Sequence, residues 1–155
     1  ASEQAIIRVS GRLNARAAEA IRRFHLPCAT DVTGFGLIGH ALELARASDV
    51  CIALSASALP LLPNVLDYAS DGLIPAGAYR NRSFCEHHVL VHEGIASERV
   101  LAAYDPQTSG GLLLAVPKEK TAEVVQFLED QGDLGQVIGE VLPPRDDCVR
   151  ILLQE

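Results

Sequence analysis

The sequence predicts an α+β fold, a mixed β-sheet flanked by helices. Three observations predict it. Helix-like and strand-like segments are interleaved irregularly, which favours a mixed sheet over a doubly wound parallel one. The run LLLAVP at 112–117 is apolar on both faces, the pattern of an interior strand covered on both sides. The chain has 155 residues, 48% of them hydrophobic, which is enough to bury a full core as a single domain over 1–155.

Residues 12–25, RLNARAAEAIRRFH, read as a helix. Leu13, Ala17, Ala20, Ile21 and Phe24 recur on one face, and Pro27 stops it. A short apolar piece at Cys28-Ala29 leads into the polar run Thr30 to Gly36. Residues 37–47 form a second helix with Leu37, Ala41, Leu44 and Ala45 as its buried stripe, and Val50 to Leu54 is a strand. Pro60, Pro63, Gly72, Pro75 and Gly77 punctuate 59–80, leaving room for a short helix at 63–70. HVLVH at 88–92 suggests a strand and 97–103 a helical turn; 112–116 is the interior strand. Residues 118–131 make the clearest helix, with Ala122, Val125 and Leu128 on one face, Val124 and Phe127 widening it, and Gly132 ending it. Strands at 136–142 and 148–153, joined by PPRDD, close the chain.

Thirteen basic against 20 acidic residues give a net charge of −7. That argues against nucleic acid or an anionic membrane as the main partner, since phosphate backbones need clustered Lys and Arg. Arg8, Arg12, Arg16, Arg22 and Arg23 leave a local basic patch near the start. No apolar stretch is long enough to span a bilayer, and no signal peptide is expected. The cysteines at 28, 51, 85 and 148 form no C-x-x-C pair, so no zinc-ribbon or redox motif is present. Their even count allows disulfides, but Cys28 and Cys51 lie in apolar runs where free buried thiols are common, which favours reduced thiols and a cytoplasmic setting. The chain begins with Ala1 and contains no Met, as an excised fragment would, or a chain whose first Met was removed.

Two segments carry site chemistry. In Thr30-Asp31-Val32-Thr33-Gly34-Phe35-Gly36, an acid, a hydroxyl and two glycines precede a helix. Glycine lets the backbone approach a ligand closely, a helix start favours phosphate, and a carboxylate suits a hard cation such as magnesium. Thr33 either contacts that ligand or caps the helix of an ordinary loop. In Asp105-Pro106-Gln107-Thr108-Ser109-Gly110-Gly111, Thr108, Ser109 and the following amides can line an anion site, or the segment is a structural turn. Cys85, His87, His88 and His92 look like soft-metal ligands but lack a closed tetrahedral set. His40 and Glu43, one helical turn apart, read as surface residues or loop supports.

ATDVTGFGLIGHALELA at 29–45 and YDPQTSGGLLLAVP at 104–117 resemble the two signature stretches of the carboxy-terminal half of the selenophosphate synthetase (selenide, water dikinase) family. RLNARAAEA, IPAGAYRNRSF at 74–84 and IGEV at 138–141 resemble it too, in the expected order along nearly the whole chain. The resemblance implies the carboxy-terminal domain fold of the aminoimidazole ribonucleotide synthetase superfamily. It implies a parent enzyme that converts ATP, selenide and water to selenophosphate, phosphate and AMP. It assigns Asp31 to magnesium at the ATP phosphates, with Thr33, Gly34 and Gly36 around it. It gives Thr108, Ser109 and Gly110, within the second signature, a site-lining role. The family's nucleophilic Cys or selenocysteine, its Lys, its glycine-rich segment and its other carboxylates belong to the amino-terminal half, so no catalytic residue is expected here and the chain alone is expected to be inert. The expected partners are that amino-terminal half, ATP and selenide, with a homodimer at full length. Two alternatives stay open: another ATP-dependent member of the superfamily, of the aminoimidazole ribonucleotide synthetase, hydrogenase-maturation or thiamine-phosphate kinase type, or a non-catalytic binding module.

Overall fold

Residues 2–155 are described in the structure, a computed structural model. In chain order the elements are α1 (Ser2–Ser10), α2 (Ala15–Phe24), β1 (Cys28–Asp31), α3 (Gly36–Ala47), β2 (Cys51–Ser55), α4 (Val65–Ser70), α5 (Ala76–Cys85), β3 (Val89–Val91), α6 (Ser97–Ala103), β4 (Leu112–Ala115), α7 (Thr121–Asp130), β5 (Gly139–Leu142) and β6 (Ile151–Gln154). Helix and sheet are mixed as expected, and two of the helices, α1 and α5, were not legible from periodicity.

The larger sheet has the order β3-β6-β2-β5. β6 runs parallel to both β2 and β3, with Ile52 opposite Ile151 and Val89 opposite Ile151, while β5 is antiparallel to β2. Ile52, Leu54, Ile151 and Leu153 put their side chains into the main core. Ile38, Ala41, Leu42 and Ala45 of α3, Ala78 and Cys85 of α5, and Val100 and Ala103 of α6 meet them there. The buried stripe of α3 is thus turned slightly from the expected one: Leu37 and Leu44 are only partly buried at its margin.

A second, smaller cluster lies between α2 and α7 and is built from Ala20, Leu26, Val124 and Leu128, with Phe24, Phe127, Leu114 and Val116 against it. Phe24 and Phe127 meet edge-on at 5.7 Å. α2 ends where His25 takes a left-handed φ of 51° and Leu26 returns its N–H to the Ile21 carbonyl, just ahead of Pro27. Leu13 and Ala122, expected on the apolar faces of these helices, are exposed.

The expectation that 112–116 is an interior strand is corrected. β4 pairs only with β1, antiparallel, in a two-stranded ribbon outside the larger sheet, and all its residues are half-buried. Its two-sided apolar character has a different cause. Successive strand residues point to opposite faces: Leu113 packs on the main core and Leu114 on the smaller cluster. The ribbon therefore separates two apolar clusters and carries the loops of both signature segments at one end, where Asp31 faces Leu112.

Candidate functional site

β1 delivers Asp31 to the end of the ribbon. Thr30 and Asp31 are strand residues, so the loop proper begins at Val32, later than the residue types suggested. Asp31 faces Leu112 across the ribbon. Its carboxylate is exposed and makes no hydrogen bond or ion pair with another described residue. A carboxylate held on a strand end with no basic partner is free to take a cation.

Backbone hydrogen bonds then stitch the two segments into one surface. Val32 N–H donates to the Gly111 carbonyl (2.9 Å), Gly110 N–H to the Val32 carbonyl (3.1 Å) and Gln107 N–H to the Thr33 carbonyl (3.0 Å). Two glycines are required for this closeness. Gly36, which opens α3 with φ +69°, lies so near the Tyr104 carbonyl that a Cβ would sit 2.7 Å from it, and a Cβ on Gly110 would run into the Val32 carbonyl oxygen. Gly34 has open space around it.

Thr33 does not cap the helix. Its hydroxyl hydrogen-bonds His40 Nε2 at 3.0 Å, and His40 Nδ1 is 3.1 Å from a Glu43 carboxylate oxygen. His40 is buried at 8% exposure, which rules out a surface role; it supports the loop from beneath. Residue Phe35, at the N-cap position of α3, offers no side-chain cap, leaving the helix start without one. The Phe35 ring lies 5.6 Å from that of His40 and stacks on Phe84 of α5 at 6.4 Å.

In the second segment, Thr108 is exposed and Ser109 half-buried, and neither hydroxyl bonds to another described residue. Asp105 accepts a 2.6 Å hydrogen bond from Gln107 Nε2; burial pushes its carboxyl above the usual range, partly offset by that bond. Burial also pushes the Tyr104 phenol up to about 12, with Cys85 adding to the rise, Arg82 opposing it and Glu86 adding a little more. The amide of Asn81 spans both segments, donating to the Gly34 and Tyr104 carbonyls, each at 2.9 Å. Asn14, just before α2, donates to the Gly110 carbonyl (2.9 Å). Sequence reasoning assigned no role to Asn81 or Asn14, although both lie in stretches that carried the resemblance.

Cys85, His87, His88 and His92 are not brought together. Cys85 is buried at the end of α5, while His88 Nδ1 meets the Cys148 carbonyl (2.9 Å) and His92 faces Glu155 and the Gly94 amide. The four cysteines are all free. No helix among the described residues is long and apolar enough to cross a membrane.

Residues 8–151 match the family described as AIR synthase related protein, C-terminal domain. The chain is 46% identical over 154 residues to a protein named selenide, water dikinase from Nitratidesulfovibrio vulgaris (strain DSM 19637 / Miyazaki F), covering 99% of this chain and 44% of that protein. It is 36% identical over 152 residues to selenide, water dikinase 2 of Peptoclostridium acidaminophilum, again 44% of that protein. The chain thus spans less than half the length of the curated relatives it matches. Among solved structures, HypE of E. coli, a hydrogenase maturation protein, superposes with a TM-score of 0.53 at 24% identity over 86% of this chain and 34% of that one, a likeness of fold.

Proposed function

Over residues 8–151 the chain belongs to the family described as AIR synthase related protein, C-terminal domain, and from that membership we propose that it is the carboxy-terminal domain of a selenide, water dikinase. Its parent forms selenophosphate, AMP and phosphate from ATP, selenide and water. The observation that carries the reading is the fusion of both signature segments into one surface around an unpaired carboxylate. The names of relatives 36% to 46% identical along the chain support the same reaction.

In this reading Asp31 holds magnesium at the ATP phosphates, and the metal supplies charge neutralisation for phosphoryl transfer. Thr33, Gly34 and Gly36 set the loop around it, at the uncapped start of α3 where backbone N–H groups favour phosphate. Thr108, Ser109 and the Gly110 amide region line the other side; their unengaged hydroxyls are suitable donors to phosphate oxygens. One carboxylate is too few for a magnesium–nucleotide site, and no group of three His, Cys, Asp or Glu side chains able to hold a metal occurs among the described residues. The remaining ligands and the nucleophile then come from the amino-terminal half of a cytoplasmic, homodimeric enzyme, and the 155-residue chain alone releases no AMP.

The test is Asp31→Asn in the full-length protein, assayed for selenide-dependent AMP release and for thermal stability. Asn keeps size and turn preference but loses the charge. Turnover lost by a factor of about 100 or more with an unchanged melting temperature fits a metal ligand, on the scale of removing one electrostatic group from a reacting centre. Full activity at ordinary magnesium makes Asp31 a structural residue at the end of β1 and overturns the assignment.

A further inference from the structure

One face of α5 is shaped to the two signature segments. Gly77, Asn81 and Phe84 lie four and three residues apart, on one side of the helix. A Cβ on Gly77 would sit 2.8 Å from Pro106 Cγ, so the helix backbone lies directly against the second segment. One turn on, Asn81 donates to Gly34 of the first segment and Tyr104 of the second. At the far end Phe84 stacks on Phe35 of the first.

The orientation of the Asn81 amide is decided by its partners. Both are carbonyl oxygens, and only the NH2 group can serve two acceptors. Both of its N–H donors are spent, one on the Gly34 loop and one on the Tyr104 carbonyl where α6 passes into the second segment. Meanwhile α5 is anchored to the core by other residues, the fully buried Ala78 and Cys85. Those core contacts hold α5 without Asn81, whose bonds go to the Gly34 loop and to the carbonyl of Tyr104, the residue that ends α6 and leads into the second segment.

We propose that Asn81 is a positioning residue: it clamps the Asp31 loop and the Asp105–Gly111 loop into a single rigid phosphate- and metal-facing surface. This rests on the reading of that surface given above. The clamp acts through Gly34, three residues from Asp31, so losing it lets the carboxylate wander relative to Thr108 and Ser109 without opening the core.

The experiment uses two variants of the full-length protein. Asn81→Asp keeps the shape but replaces both donors with an oxygen facing two carbonyls. Asn81→Ala removes the group without that repulsion. Hydrogen exchange is followed by mass spectrometry on peptides spanning 32–36 and 105–111, with the sheet peptides 51–55 and 89–92 as references. The clamp predicts exchange on the order of tenfold faster in both loops and unchanged exchange in the sheet, the scale of one or two lost hydrogen bonds. It also predicts that the magnesium concentration for half-maximal AMP release rises on the order of tenfold, with activity restored at saturating magnesium; a merely structural residue would lower activity at every magnesium concentration. Unchanged loop exchange in both variants overturns the clamp. Loosened loops with an unchanged magnesium requirement overturn its positioning role, and so does sheet exchange that rises together with the loops. If Asp31→Asn stays active, the reading of Asp31 fails by itself, and the exchange result still decides whether Asn81 joins the loops.

Discussion

At Gly36 a single missing carbon sets the distance between the two signature segments. Its φ of +69° is one that an L side chain adopts only under strain, and the Tyr104 carbonyl occupies the place of a Cβ. Gly36→Ala is expected to cost about 1–3 kcal/mol in urea unfolding and to push the loops apart. Gly34→Ala, with nothing within 4 Å, is expected to cost far less. Asp105 makes a different prediction. Burial raises its carboxyl in the folded state, so its favourable contribution is complete below the unfolded value and is lost as pH rises through the raised one. At neutral pH the ionised, half-buried group weakens the fold. Asp105→Asn keeps an oxygen for Gln107 Nε2 and removes that charge. Its melting temperature should exceed that of the unsubstituted chain at neutral pH, with the gap closing on acidification through the carboxylate range. A gap that is constant with pH, or of opposite sign, would contradict this account.

Elements whose faces repeat regularly were legible. α3 sits where periodicity placed it, α6 fills the span read only as a helical turn at 97–103, and β2, β3, β5 and β6 lie within a few residues of their expected spans. α5 was not, because Pro75 and Gly77 look like loop punctuation. In the structure Pro75 sits at the N-cap position and Gly77 is where the helix lies against Pro106, a tertiary reason that no local pattern reveals. The same holds for the site. The residue types of both loops were readable, but not the bridge at Asn81 or the burial of His40, since each depends on contacts between distant segments. In α7 the expected face was off by part of a turn: Val124 and Leu128 are buried while Ala122 is exposed, because α2 approaches from the side of Phe127. Leu128→Ala should therefore destabilise by about 2–4 kcal/mol, and Ala122→Ser by a few tenths, in chemical denaturation.

The molecule as a whole has two apolar clusters with the β1–β4 ribbon between them. The smaller holds few large side chains, so it should open at lower free energy than the larger. Leu128→Ala is expected to speed amide exchange in α2, α7 and the ribbon while leaving β2 and β6 protected. Leu42→Ala, fully buried in the main core, should weaken both regions. Equal loss of protection everywhere from Leu128→Ala would mean that the two clusters open as one.

The strand order β3-β6-β2-β5 places β6 inside the sheet, between partners that precede it by some 60 to 100 residues in the chain. Ile151 and Leu153 are essentially without exposure and fill the middle of the main core. On the ribosome, β2 and β3 can emerge but have no common neighbour until residues 151–154 follow, so the main sheet closes only when β6 arrives rather than progressively. Until then, two strands with unpaired edges wait in a nascent chain, the kind of exposure that invites chaperones. Truncation after Arg150 would remove only the strand that joins β2 to β3, and so would undo the main sheet while leaving every earlier element in place.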